Sequence, residues 1–242
     1  MIRVTILIPT WNEELARPAT LASLRVMEPP PDEVLLVDGG STDNTLAIAR
    51  DAAITSVNAP KKGRGAQINH GVNLASGEIV CVPHADSLLP ADAIAVIRAT
   101  MSDPRIALAS FMPRIAGPQG TRWGSSFHNW IKTWYAPLLV RPHPYLRGVR
   151  LLFGDHAMFF RREHFLAVGG CDERLVAMEE ADLCIKLARF GRTKMVRCWM
   201  WTSDRRIVAW GSWRANWIYF KVGMMWALGA RVRLAHHYPD IR

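Results

Sequence analysis

Three sets of residues stand where they can do chemistry. Asp38 closes the apolar run Glu33–Asp38 and is followed at once by Gly39 and Gly40. A carboxylate there can accept from a uracil N–H or a ribose hydroxyl, and two glycines let backbone come close to a nucleotide. The same aspartate can instead only organise the turn at Ser41 and Thr42. Lys61, Lys62 and Arg64 flank glycines just ahead of a helix. A diphosphate would be drawn there by the cations and by amides at the helix start, unless the segment is merely a solvated loop. Glu179, Glu180 and Asp182 form an acidic cluster in the first turn of another expected helix. Negative charge is favoured in that turn by the helix dipole, with or without a reaction to catalyse.

The elements that must hold these groups follow from hydrophobic pattern. VTILIP, EVLLVD, ITSVNA and EIVCVP are short apolar runs that end at turn residues and read as buried strands. Between them lie an amphipathic stretch from Glu13 to about Met27, a helix TLAIARDAA with Ser41, Thr42 or Asp43 as its cap, and a helix through Asn69 to Ala75 after a loop at residues 61–65. Alternation at this pitch predicts an α/β fold: a Rossmann-like, mostly parallel sheet with helices on both faces. Ligands of such sheets bind beyond the carboxyl ends of the strands, where Thr10, Asn12, Glu13, Asp38 and Asp86 stand.

The second half changes character. Nine of the ten tryptophans follow residue 120, and the stretch from Pro113 to Gly154 reads as irregular. AMFFRREHF reads as a strand entering a helix, and EEADLCIKLARFG as a helix ending at Gly191. A smaller mixed half over 91–211 would then join the nucleotide-binding half over 1–90. The tail 212–242 places Trp213, Trp217, Phe220, Met224 and Leu228 at helical spacing. That helix packs on the domain, meets another copy, or lies on a membrane surface. It is too short and too interrupted by Lys221 to span one.

The chain has 242 residues, half of them hydrophobic, which excludes a disordered chain and a disulfide-stapled mini-domain. Thirty Lys and Arg against 21 Asp and Glu leave +9, and residues 205–242 alone carry seven basic groups and one acid. A basic second half suits an anionic partner. Nucleic acid is the weakest candidate, because zinc-finger spacing, an RNA-binding aromatic signature and a long basic run are all missing. Cys81, Cys171, Cys184 and Cys198 form no C-x-x-C pair and read as reduced thiols of a cytosolic protein. The opening apolar stretch is too short for a signal peptide. The pattern G-R-G-A-Q-I lacks the third glycine and the later acid of a dinucleotide fingerprint.

The ordered set PTWNE (Pro9–Glu13), VDGGSTDNT (Val37–Thr45), GRGAQINHG (Gly63–Gly71), HAD (His84–Asp86), GDHAMFFRR (Gly154–Arg162) and MEEADL (Met178–Leu183) resembles the family-two glycosyltransferases with the A-type nucleotide-sugar fold. The likeness runs from about Arg3 to Tyr219 and is nearest the radical-SAM/selenodomain-associated subgroup, also named for arsenosugar biosynthesis. It implies an inverting, metal-dependent transfer of a sugar from a nucleotide-diphosphate donor, by family habit a UDP-sugar, to an acceptor hydroxyl. Pro9, Thr10, Glu13, Asp38, Arg64, Asn69 and Ala85 would surround the nucleotide. Asp86, with His84 where the family has an aspartate, would meet Mn²⁺ or Mg²⁺, ions that suit oxygen ligands and take few from protein. Glu180 would be the base, in place of the family's aspartate, with Asp182 as the fallback. Asp155 would hold an acceptor hydroxyl, and Arg206 would cover the phosphates. The implied setting is cytoplasmic, with peripheral membrane contact open. Loss of catalysis with retained donor binding, or action on a polyprenyl-phosphate carrier at a membrane surface, are the alternatives.

Overall fold

A computed structural model of the chain describes residues 1–14, 17–118, 120–140, 142–146, 148–153 and 156–229. The elements run in the order β1 (Val4–Thr10), α1 (Arg17–Arg25), β2 (Glu33–Asp38), α2 (Thr45–Asp51), β3 (Thr55–Asn58), α3 (Arg64–Leu74), β4 (Ile79–Val82), β5 (Ser87–Leu88) and α4 (Ala93–Met101). There follow β6 (Ile106–Gly117), β7 (Gly120–Thr121), α5 (Trp123–Val140), α6 (Pro142–Leu146), β8 (Met158–Arg161), α7 (Arg162–Ala167), α8 (Glu179–Leu187), β9 (Arg192–Ser203), α9 (Arg205–Trp210) and α10 (Ser212–Ala227).

One mixed sheet runs through both halves in the order β3-β2-β1-β4-β8-β6-β9-β5, with β7 beside β6. β1, β2, β3 and β4 are mutually parallel, whereas the short β5 pairs antiparallel with β9. The sheet turns mixed at β8, which is antiparallel to both β4 and β6. Register sets Thr10 beside Asp38 and Asp38 beside Asn58, so these strands end level and open one rim.

Side chains of a strand alternate between the two faces, and β1 shows the consequence. Val4, Ile6 and Ile8 enter a core with Leu21 and Leu24 of α1 and Ile94 and Ile97 of α4. Leu7 enters the other core, with Ile68 and Val72 of α3 and with Val222 and Trp226 of α10. The last helix therefore supplies core residues to the same sheet that carries the rim. Helix α3 lies very close to the sheet: a Cβ added at Gly71 would stand 2.5 Å from Leu7 Cδ1 and 2.7 Å from Val37 Cγ2. Gly71→Ala is therefore expected to destabilise the fold by about 1–3 kcal/mol through overpacking. Urea denaturation checks this, and an unchanged midpoint would show that the helix can lift away freely.

Two expectations need correction. Helix α3 starts at Arg64, so Arg64 stands in its first turn and not in a loop. The stretch 113–154 is not irregular, since it completes β6 and holds β7, α5 and α6. Helix α5 hid because its polarity is reversed. It buries Ser126, Asn129 and Thr133, one helical face of polar residues, and exposes Trp123, Phe127 and Leu138. Two of these side chains find partners: Ser126 Oγ accepts from Ile115 N–H of β6 at 2.9 Å, and Thr133 Oγ1 donates to Asn129 O at 3.3 Å. A search for an apolar inner stripe cannot find such a helix.

Candidate active site

Beyond the strand ends lies a cleft of about 830 Å³. Its wall includes Pro9, Thr10 and Glu13 after β1, Lys62 to Arg64 at the start of α3, and His84, Ala85 and Asp86 after β4. Glu179 and Glu180 of α8 and Arg205 and Arg206 of α9 complete the charged part. Met178, the residue before α8, has φ 72°, a left-handed conformation uncommon for a non-glycine. It turns the chain immediately ahead of the glutamate pair.

Two arginines organise the acids. Arg64 Nε lies 2.9 Å from Glu180 Oε1 and 3.1 Å from Glu179 Oε1, with all three side chains largely buried. Arg205 grips Glu13 with both terminal nitrogens, each at 2.8 Å, and reaches Asp86 Oδ2 at 3.0 Å. Fork-to-carboxylate pairing of this kind fixes geometry as well as charge. The cleft wall holds five carboxylates (Glu13, Asp86, Glu173, Glu179, Glu180) and five cations (Lys62, Arg64, Lys132, Arg205, Arg206). Its charges are balanced within the protein. Two polar atoms of the Arg64 cluster are buried without a hydrogen-bond partner among the described residues: Arg64 Nη2, a donor, and Glu179 Oε2.

Burial pushes the Glu179 carboxyl up to about 7, and the neighbouring Glu180 charge adds to this while Arg64 opposes it. The native state then keeps a proton that the unfolded chain loses near 4.5. Stability from this proton is complete below pH 4.5 and is lost as pH rises toward about 7. Glu179→Gln is expected to flatten that part of the Tm–pH profile. Thermal unfolding across the window checks it, and an unchanged slope would place the proton elsewhere.

Several expected site residues stand differently. Asp38 is almost wholly buried and does not line the cleft. Its Oδ2 accepts the Gly40 and Ser41 amides at 2.8 Å, and its Oδ1 accepts Ser41 Oγ at 2.5 Å. It holds its own turn, Asp38 to Ser41, at the end of β2. Asn69 is also off the wall: it accepts from Cys171 N–H at 2.8 Å and donates to Cys171 O and Glu173 Oε1, both at 3.1 Å. It ties the loop before α8 to α3. Asp182 points away from the cleft wall to Lys186, 3.3 Å off and one turn on. Asp155 lies outside the described residues. Its neighbour His156 is fully buried, and its pKa is driven down to about 3 by burial and the Lys132 charge. All four cysteines are free, three of them buried.

Residue-by-residue reading missed two contributors. Arg205 lay in the basic segment Thr202–Arg206, but only the fold could show that it, next to Arg206, reaches Glu13 and Asp86. Gln67 donates through Nε2 to Thr10 O at 2.6 Å and Val37 O at 2.8 Å, clamping the ends of β1 and β2 together. Its one signal was a place one turn after Arg64.

An α/β sheet with paired acids and cations beyond its strand ends places a ligand site at the carboxyl rim of the sheet. The chain belongs to glycosyl transferase family 2, whose model matches residues 5–169. An uncharacterized glycosyltransferase of Mycobacterium bovis is 36% identical over 88 residues, 36% of this chain and 38% of the relative. A PGL/p-HBAD biosynthesis glycosyltransferase of Mycobacterium tuberculosis is 32% identical over 136 residues, 51% of each chain. The alignments thus span about half or less of these relatives. The fold is shared with a solved mannosyltransferase from Pyrobaculum calidifontis, in complex with GDP-Man and Mn²⁺, at TM-score 0.67 and 21% identity, covering 100% of this chain and 66% of that one.

Proposed function

We propose that the chain moves a sugar from a nucleotide-diphosphate donor to an acceptor hydroxyl with inversion, as a cytoplasmic enzyme of the radical-SAM/selenodomain-associated type. The observation that carries this is the Arg64 cluster. A buried guanidinium with one unmatched nitrogen sits beside two glutamates on the wall of a cleft at the strand ends. A spare donor next to an acid pair suits a ligand rich in oxygens that also brings a proton to be removed.

The nucleoside would lie against Pro9, Thr10, Glu13 and Ala85, and Asp38 would support the turn behind it. Lys62, the first amides of α3 and Arg206 would face the diphosphate. The donor set fits a divalent cation that takes most of its ligands from phosphate. Asp86 has one oxygen on Arg205 and a second to offer, with His84 two residues away. Among the described residues no group of three or more His, Cys, Asp and Glu forms a complete cage. When bound, Mn²⁺ or Mg²⁺ would neutralise charge on the leaving diphosphate.

Glu180 would take the acceptor proton as the hydroxyl oxygen bonds to the anomeric carbon and the bond to the diphosphate breaks. A thermal-shift panel of UDP, GDP, ADP and CDP with and without Mn²⁺ tests the reading, since a ligand of the native state raises its stability. At least one nucleotide is expected to raise Tm, and more so with Mn²⁺. Asp86→Ala is expected to cancel the Mn²⁺ increment while leaving the nucleotide's own shift. Silence across the panel would overturn the function, and a retained increment would remove Asp86 from the cation.

A further inference from the structure

Beyond the glutamates the cleft changes chemistry. Along α10, Trp213, Trp217, Phe220 and Met224 recur at spacings of four, three and four, one helical face. All four line the cleft, yet Trp213 is 90% and Trp217 63% exposed. The buried Val222 and Trp226 of the same helix also border the cleft. The cleft therefore has a charged end at Asp86 and Glu180 and an apolar end at α10. A contiguous exposed apolar surface of this kind marks a binding site more often than chance.

The charges indicate the occupant. Residues 205–229 include Arg205, Arg206, Arg214 and Lys221 and no carboxylate. A second copy of this basic chain would bring the same sign of charge to the same face, which opposes self-association there. A purely polar acceptor would leave the aromatic face in water. A molecule with a hydroxyl at one end and an apolar group at the other matches both ends of the cleft.

Building on the proposed function, we propose that the acceptor is an amphiphile. Its hydroxyl lies at the Glu179–Glu180 rim, and its apolar group lies along Trp213, Trp217, Phe220 and Met224. Such a group can come from a dissolved amphiphile or from a molecule seated in a bilayer. No helix among the described residues is long and apolar enough to cross a membrane, so a bilayer source would be met from its surface.

Isothermal titration of the full chain with maltose, n-octyl-β-maltoside and n-dodecyl-β-maltoside, below their micelle concentrations, tests this. Each methylene that leaves water tightens binding about fourfold. The dodecyl compound is therefore expected to bind at least tenfold more tightly than the octyl one, with maltose silent. The double variant Trp217→Ser/Met224→Ser alters two exposed side chains and is expected to abolish the chain-length dependence while keeping the nucleotide thermal shift. Equal affinity for the two detergents, or an unchanged dependence in the variant, overturns the amphiphile subsite. A lost nucleotide shift in the unaltered chain would instead overturn the transferase reading beneath it. Sedimentation with phosphatidylglycerol vesicles separates the sources: co-sedimentation that the double variant abolishes supports a bilayer-seated group, and detergent binding without vesicle binding supports a dissolved one. Failure of both overturns the proposal.

Discussion

Glu180→Gln is expected to slow sugar transfer by at least about 10²-fold while nucleotide affinity stays nearly constant. Glutamine has the shape of glutamate and can still accept from Arg64 Nε, now 2.9 Å from Glu180 Oε1. What it cannot do is take a proton from an attacking hydroxyl. The loss should therefore appear in the rate and not in donor binding. Single-turnover release of nucleoside diphosphate, read beside the nucleotide thermal shift, separates the two. A large affinity loss with an unchanged rate would contradict the assignment. Glu179→Gln is the internal control: burial pushes this carboxyl up to about 7, and its replacement should cost much less rate. Equal losses in both variants would mean that the pair works as one unit.

Arg64→Met is expected to have the largest effect on stability. The guanidinium is the partner of two buried carboxylates, and its removal leaves them facing each other without the cation that pairs them. Breaking a buried pair from one side costs about 3–5 kcal/mol, which for a chain of this size is roughly 6–20 °C in Tm. The sign of the pH dependence is fixed by the same picture. Without Arg64 the Glu179 carboxyl is pushed further up, so the native state holds a proton that the unfolded chain has released. The deficit should be greatest at neutral pH and shrink as pH falls toward the ordinary carboxylate value near 4.5. Denaturation at two pH values measures it, and Glu179→Gln with Glu180→Gln in the same chain should restore much of the loss. A deficit independent of pH would show that packing, not charge, is what Arg64 supplies.

The parallel half was legible because its signals are local. β1, β2 and β4 are apolar runs, and each stops where turn chemistry begins. Their order along the chain and the handedness of crossover connections leave few ways to assemble them. The acid pair was visible as a helix start, since Met178–Leu183 combines negative charge with an apolar helical repeat. Helix α5 was not legible, because it buries Ser126, Asn129 and Thr133 against neighbours distant in sequence or on its own turn, and a pattern search weighs only side-chain polarity.

By itself the sequence determined which residues end the strands, which helices begin with charge, and hence that a rim of acids and cations must exist. Only the tertiary structure decided who pairs with whom. Arg205 meets Glu13 from 192 residues away, and Arg64 meets Glu180 from 116. Asp38 turns inward to its own loop, and Asn69 to the loop before α8. The physical reason is that propensity and periodicity act over a few residues, whereas a hydrogen bond or ion pair depends on where the packed sheet brings distant side chains. Strand ends and helix starts are local facts, and the partner of a charge is a global one.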